Sequence, residues 1–318
     1  MKFDMVHSPD GIVADVDATV DALVERLGLP RPKHSWMQHS DSHGYAAMFA
    51  RVHPSRALSP SRLEVISDYP QTRFGPTDIS ANIALVDRLQ GERPVKTHAT
   101  VLTTSDMDGL IAHLRERGVR HRVDPPSAEL GHPRLWIGFG TDPAEPYEPA
   151  DDAGLMMEFI PTQSLMLPDP WPAAEPIAEV VEGSAAMVRM AARSYIVRDV
   201  AATVATLADR VGWAAGAITG EPGSRSATME LANPRSAKFE LIEPAADLDA
   251  TQLFDAHGEG TFATRITVGD LEAKKRDLAD RGTPFRELTW VDGRILLRVG
   301  PEVVPGFWVD FADERTEP

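Results

Sequence analysis

One layout recurs four times along the 318 residues, and it limits the chain to folds assembled from a repeated unit. A short β-rich run leads to an aspartate, and an amphipathic helix follows at once. The first copy runs from Met5-Val6-His7 to Asp15 and on through 16–29; the second runs from His98 to Asp106 and through 107–119. The third passes from Ala192 to Asp199 and through 200–213, the fourth from Ala263 to Asp270 and through 271–283. Each aspartate stands where a side chain can cap the free N–H groups of a helix start. A glycine closes or follows each helix: Gly28, Gly118, Gly212 and Gly282. Val16, Val20, Leu23 and Leu27, like Leu110, Ile111 and Leu114, fall at helical spacing and form a stripe that packs onto a sheet.

Every copy also ends in a strand that carries one acid among apolar residues. These are Glu64 within 63–66, Glu158 within 157–160, Glu240 within 239–242 and Asp310 within 309–311. Two further strand-like runs lie between helix and acid, for example 45–49 and 135–139. The unit therefore reads β-α-β-β-β. Between the second and third units the segment from Pro161 to Pro176 holds prolines also at 168, 170 and 172, and proline resists both helix and central strand. The expected organisation is an N-terminal domain over 1–165, a linker over 166–178 and a C-terminal domain over 179–318, each domain holding two units.

The β-α-β-β-β unit, the Asp-led helix start (Asp15-Val16-Asp17-Ala18, Asp270-Leu271-Glu272-Ala273) and the closing strand with its embedded acid resemble the vicinal-oxygen-chelate superfamily. Glyoxalase I, bleomycin-resistance proteins and extradiol dioxygenases belong to that superfamily. The resemblance covers nearly the whole chain apart from the linker and the tail. It implies an α+β fold in which four βαβββ modules pair into two glyoxalase-like domains, each pair forming a cupped sheet around a metal.

Counting back eight residues from each capping aspartate gives His7, His98, Ala191 and Phe262. A histidine thus recurs at one repeat position in both N-terminal units and in neither C-terminal unit. The chain has no cysteine, so a transition metal here must be held by His, Asp and Glu. The resemblance places ligands on the first and last strands of a unit, which gives His7, Glu64, His98 and Glu158. Such a set suits one divalent ion: zinc, nickel, cobalt, manganese or iron. Relatives often have seven residues from ligand to helix aspartate where this chain has eight; a bulge would absorb the extra one. Acids also close the two units that lack a histidine, so Glu64 reads equally as ligand or as scaffold. The C-terminal half, with Ala191 and Phe262 at its ligand positions, is expected to be metal-free and to act as scaffold, lid or dimer surface.

The remaining candidates read as less specific. His34, His39, His43 and His53 read as solvated turn residues near the strands of the first unit, and one of them facing the cup would be placed for proton transfer. His113 and His121 read as solvated, Tyr147 as part of an acidic loop over 142–152, and Trp136 and Phe139 as core.

The net charge of −16 repels phosphate, which argues against nucleic acid and anionic membranes as partners. No apolar run approaches the ~18 residues of a membrane span. The opening Met1-Lys2-Phe3-Asp4 lacks the apolar stretch of a secretory signal, so a cytoplasmic location is expected. There is no Gly-rich phosphate cradle, no G-x-S-x-G and no H-E-x-x-H. The resemblance implies a metal-dependent isomerase, epimerase or lyase acting next to a carbonyl, with Glu64 and Glu158 as catalytic bases. A small oxygen-rich metabolite, such as a cyclic polyol ketone, is the expected substrate, and a homodimer the expected assembly. Two alternatives stand beside this reading: an Fe(II) extradiol-type dioxygenase, and a protein that sequesters a drug or metabolite.

Overall fold

The computed structural model describes residues 1, 3–32, 46–53, 58–67, 78–126, 131–141, 145–166 and 183–317. The first unit comprises β1 (Met5–Ser8), β2 (Asp10–Ile12), α1 (Val16–Leu27), β3 (Ala46–Ala50) and β4 (Leu63–Ser67). The second comprises β5 (Thr100–Thr104), α3 (Met107–Glu116), β6 (His121–Asp124), β7 (Arg134–Ile137) and β8 (Met157–Pro161), with α2 (Asp78–Gln90) lying between the two units. The third comprises β9 (Met187–Ile196), α4 (Val200–Thr206, extended by one wider turn over Leu207–Val211), β10 (Ser226–Met229) and β11 (Lys238–Ile242). After α5 (Leu248–His257), the fourth comprises β12 (Gly260–Val268), α6 (Leu271–Asp280), β13 (Arg286–Thr289), β14 (Ile295–Val299) and β15 (Trp308–Asp313).

The local signals behave as their chemistry requires. Asp15, Asp106, Asp199 and Asp270 each accept from the backbone N–H three residues on, at 2.6–3.1 Å. At the other end Gly28, Gly118, Gly212 and Gly282 all take positive φ, which only glycine adopts without strain. The N–H that follows each glycine returns to the carbonyl of Leu23, Leu114, Leu207 or Leu278, eight residues after the aspartate. Those four leucines are also fully buried, so one position closes the helix and anchors it.

Strand pairing carries the repeat further. Within each unit the last strand runs parallel to the first, and the closing acid stands in register with the residue five before the capping aspartate. The pairs are Asp10 with Glu64, Val101 with Glu158, Ser194 with Glu240, and Arg265 with Asp310. Units three and four join through antiparallel β9 and β12 into a seven-stranded sheet, β10-β11-β9-β12-β15-β14-β13. Units one and two join through antiparallel β1 and β5. Here the first strand breaks at Pro9, which has no N–H for a ladder, so a five-stranded sheet (β1-β5-β8-β7-β6) abuts a three-stranded one (β2-β4-β3).

Side chains alternate across these sheets. Leu63, Val65, Leu102, Phe159, Leu241, Ile266 and Leu297 join the helices α1, α3, α4 and α6 in one apolar core shared by both halves. The opposite, cupped faces carry separate clusters: Ile12, Ala47, Ile66, Val101 and Trp136 in the N-terminal half, and Ile196, Ile242, Phe262 and Leu296 in the C-terminal half. Helices α2 and α5, which the repeat does not announce, pack on these cup-side clusters through Ile83 and Val86, and through Ala250 and Leu253. Arg93, just after α2, crosses to the other half and donates to the carbonyl of Thr261 at 2.9 and 3.1 Å.

Several expectations change. Pro161 ends strand β8 opposite Thr104, and Thr162–Met166 form a 3-10 turn held by Thr162 on Asp4, ahead of the expected linker. Beyond Met166 that linker lies outside the described residues, which resume at 183. The third unit has isolated bridges at Ala215 and Thr219 where a full strand was expected, because the segment from Ala214 to Gly223 carries three glycines and little apolar surface to hold a ladder. His53 is buried, since Val52 beside it packs into the shared core. His113 and His121 are half-buried; His113 packs against Gly212 of the other half, and His121 bonds the carbonyl of Val119. His34, His39 and His43 lie outside the described residues. Trp136 and Phe139 are buried as expected, on the cup side.

Candidate metal centre

The four closing acids owe their orientation to their neighbours. Leu63 and Val65, Met157 and Phe159, Phe239 and Leu241, and Val309 and Phe311 all belong to the shared core. Alternation then turns Glu64, Glu158, Glu240 and Asp310 onto the cupped faces, where each is nearly or fully buried. A buried carboxylate must find a partner, and the two halves solve this differently.

In the N-terminal cup the residue in register with Glu64 is Asp10, so two carboxylates stand side by side. Asp10 is taken up by His98: one of its oxygens accepts from the His98 backbone N–H at 2.6 Å and meets the ring Nδ1 at 2.7 Å. An ionised carboxylate can only accept, so Nδ1 carries the proton and Nε2 is directed elsewhere. That second nitrogen lies 3.6 Å from Oε2 of Glu158. The separation is too long for a hydrogen bond, but two ligands on one tetrahedral ion with ~2.1 Å bonds stand about 3.4 Å apart. A carboxylate behind a histidine nitrogen is also the usual second shell of a metal-binding imidazole.

The charges follow from this geometry. Burial opposes a charge on His98, but the carboxylates of Asp10 and Glu64 outweigh it and hold the imidazolium well above its ordinary pKa. Burial raises Glu64 above the usual carboxylate range, and the hydroxyl of Ser8, donating at 2.8 Å, works against this shift. A metal ion would therefore have to displace a proton from Nε2 of His98.

His7 stands with a different group. The β1–β5 register skips between Val6 and Ser8, a bulge that leaves His7 out of the ladder. Its Nε2 meets Nη2 of Arg62 at 2.5 Å, and the Arg62 guanidinium lies 4.1 Å from the Phe49 ring centre. The structure thus gathers Glu64, His98 and Glu158 with the unforeseen Asp10 and Ser8, and sets His7 beside Arg62. Sequence parity carried a signal for Ser8 and Asp10, which share a face with Glu64. Among the described residues no group of three or more His, Asp or Glu already stands at metal-holding distances. The donor types fit a borderline divalent ion, two of the donors stand as neighbouring ligands would, and a third has to close in.

No protein-family model and no curated protein matches the sequence. Among solved structures, the chain superposes on a triple mutant of 4-hydroxymandelate synthase from Streptomyces coelicolor with a TM-score of 0.57 at 14% identity. The match spans 98% of this chain and 92% of that one, and so takes in both halves. The chain has the two-domain vicinal-oxygen-chelate fold. A methylmalonyl-CoA epimerase from Mycobacterium tuberculosis also aligns, with 42% of this chain against 93% of that one, 19% identity and a TM-score of 0.35. A methylmalonyl-CoA epimerase from Streptomyces coelicolor aligns over 41% of this chain and 97% of its own length, at 17% identity and a TM-score of 0.36.

The second cup of this vicinal-oxygen-chelate fold keeps the acids and fills the space with arginine. Arg265 donates to both oxygens of Glu240, at 2.9 and 2.8 Å, and Ser194 donates to one of them as well. Arg298, in register with Asp310, donates to both of its oxygens at 2.7 and 2.8 Å and also binds Asp247 and Asp249. Tyr147, read from the sequence as part of an acidic loop, bonds Asp152 and accepts from the Met156 N–H, so it braces the loop that leads into β8.

Proposed function

We propose that the chain is a metal-dependent enzyme that moves a proton next to a carbonyl, an isomerase, epimerase or lyase, with one divalent ion bound in the N-terminal cup. The observation that carries this reading is the aim of His98: Asp10 fixes its Nδ1, and its Nε2 stands 3.6 Å from Glu158. His98 and Glu158 are the first two ligands, and Glu64 and His7 the further candidates. His7 would first have to leave Arg62. When bound, the ion would polarise adjacent oxygens of a small oxygen-rich substrate and so acidify the neighbouring C–H.

The chain's own residues supply the rest. Glu64, with a pKa raised by burial, is placed to take that proton, and Ser8 holds its carboxylate in position. Glu158 comes from the other unit, so the two carboxylates approach a bound carbon from different strands. With Glu64 rather than His7 as the third ligand, the set is one imidazole and two carboxylates, which departs from the two-histidine, one-carboxylate triad of Fe(II) oxygenases.

Turnover of candidate 2-oxo or polyol-ketone substrates in D₂O tests the reading. Deuterium should enter the carbon next to the carbonyl with no oxygen consumed, and Glu64→Gln should retain metal while losing most of that exchange. Stoichiometric O₂ uptake without deuterium incorporation would establish the dioxygenase instead.

A further inference from the structure

We propose that the C-terminal cup is a second small-molecule site, which takes an organic anion without a metal. A cavity of about 770 Å³ opens on the Glu240 side of β10 and β11, with Thr228, Lys238, Ile242, Ala246 and Trp290 among its walls. That volume lies within the ~300–1,000 Å³ of small-ligand pockets, which combine apolar walls with a few polar groups. Here Ile242, Ala246 and Trp290 supply the apolar walls.

Most polar groups in this cavity already have partners. Both oxygens of Glu240 are taken by Arg265 and Ser194. Arg294 binds Asp292 and Glu317, while the hydroxyls of Thr219 and Ser226 bond each other. Lys238 differs: it is half-buried on the cavity wall, and its ammonium makes no hydrogen bond or ion pair among the described residues. Its three N–H donors are open to a ligand, as is the hydroxyl of Thr228, and a donor-only cation calls for an anionic acceptor. Burial pushes the ammonium below its ordinary pKa, a shift that an arriving anion would reverse.

The repeat sharpens the assignment. Lys238 lies two residues before Glu240, as Arg62 lies two before Glu64, so each half places one cation at this position. Arg62 is engaged with His7 and Phe49. Lys238 faces the cavity. A monocarboxylate with a planar apolar body fits it best, the carboxylate on Lys238 and the body against Trp290 and Ile242.

Benzoate and its neutral counterpart benzyl alcohol, titrated against the full chain and followed by ligand-observed NMR, test the proposal. Benzoate should bind saturably and about tenfold or more tighter than benzyl alcohol. Lys238→Met should remove that preference, Lys238→Arg should keep it, and Ala246→Phe should abolish binding of both by filling the cavity. A thermal melt confirms that each variant is folded. His98→Ala should leave benzoate affinity unchanged, so failure of the N-terminal metal reading does not touch this one. Equal benzoate binding by Lys238→Met, loss of binding in His98→Ala, or no saturable binding at all would overturn the proposal.

Discussion

The two cups share a backbone register and differ in what neutralises their acids. In the C-terminal half, Arg265 and Arg298 bind Glu240 and Asp310 bidentately. Guanidinium groups do not give up their proton in a protein, so these acids are paired permanently. At the matching register positions the N-terminal half has Val101, beside Glu158 as Arg265 is beside Asp310, and Trp136, across from Glu158 as Arg298 is across from Asp310. The Arg134 guanidinium comes only to 4.0 Å from Glu158, and the nearer compensating charge is a proton on His98, which an incoming cation can replace. One scaffold therefore yields an exchangeable site and a fixed one through the choice of a few cup-side residues.

The comparison breaks most decisively if metal content does not follow it. The intact chain should bind one divalent ion, and His98→Ala or Glu158→Ala should abolish stoichiometric binding in elemental analysis after dialysis. Two ions per chain, or full occupancy in His98→Ala, would erase the distinction between the halves. Arg298→Met should cost about 3–5 kcal/mol of stability, because it strands the buried carboxylate of Asp310 and leaves Asp247 and Asp249 short of a partner. A denaturant titration that moved by less than about 1 kcal/mol would show that the arginines do not hold this cup together.

A third difference lies in the loops before the closing strands. Residues 300–307 turn on backbone bonds from Val303, Val304 and Phe307, whereas the N-terminal loop hangs on the buried Asp152, which accepts from Tyr147, Gly154 and Met157. Burial lifts Asp152 from 3.8 to about 7. The folded chain then holds a proton that the unfolded chain releases across this window, so stability falls as pH rises from about 4 to 7, on the order of 1.4 kcal/mol per pH unit at most. Asp152→Asn should flatten that slope in melts taken at several pH values; an unchanged slope would assign it to other groups. The smallest effect is expected at Asp10. Asp10→Asn should weaken metal binding about 10- to 100-fold and change its pH dependence, because His98 loses the carboxylate that orients it and raises its basicity. An unaltered affinity would reduce Asp10 to a structural residue.

Much of the fold was legible because its signals act over a few residues. An aspartate caps the N–H three residues on, a leucine eight residues along is buried one face of the helix away, and an acid between two core residues must face the cup. These rules gave the four units and the acid that closes each of them. They also gave the asymmetry at His7 and His98 against Ala191 and Phe262. The partners of those side chains were not legible, because they depend on which strands become neighbours. A bulge at His7 sets its ring beside Arg62, and only the pairing of β2 with β4 and β1 with β5 brings Asp10 behind His98. In the same way, Arg265 and Arg298 look like ordinary strand residues until the seven-stranded sheet lays them over Glu240 and Asp310. Helices α2 and α5 have sequences that can be helical, but which cluster they cover depends on where the chain crosses between units. Capping, periodicity and burial are local physics and can be read from the sequence, whereas the charge partners of buried groups were decided by the tertiary structure.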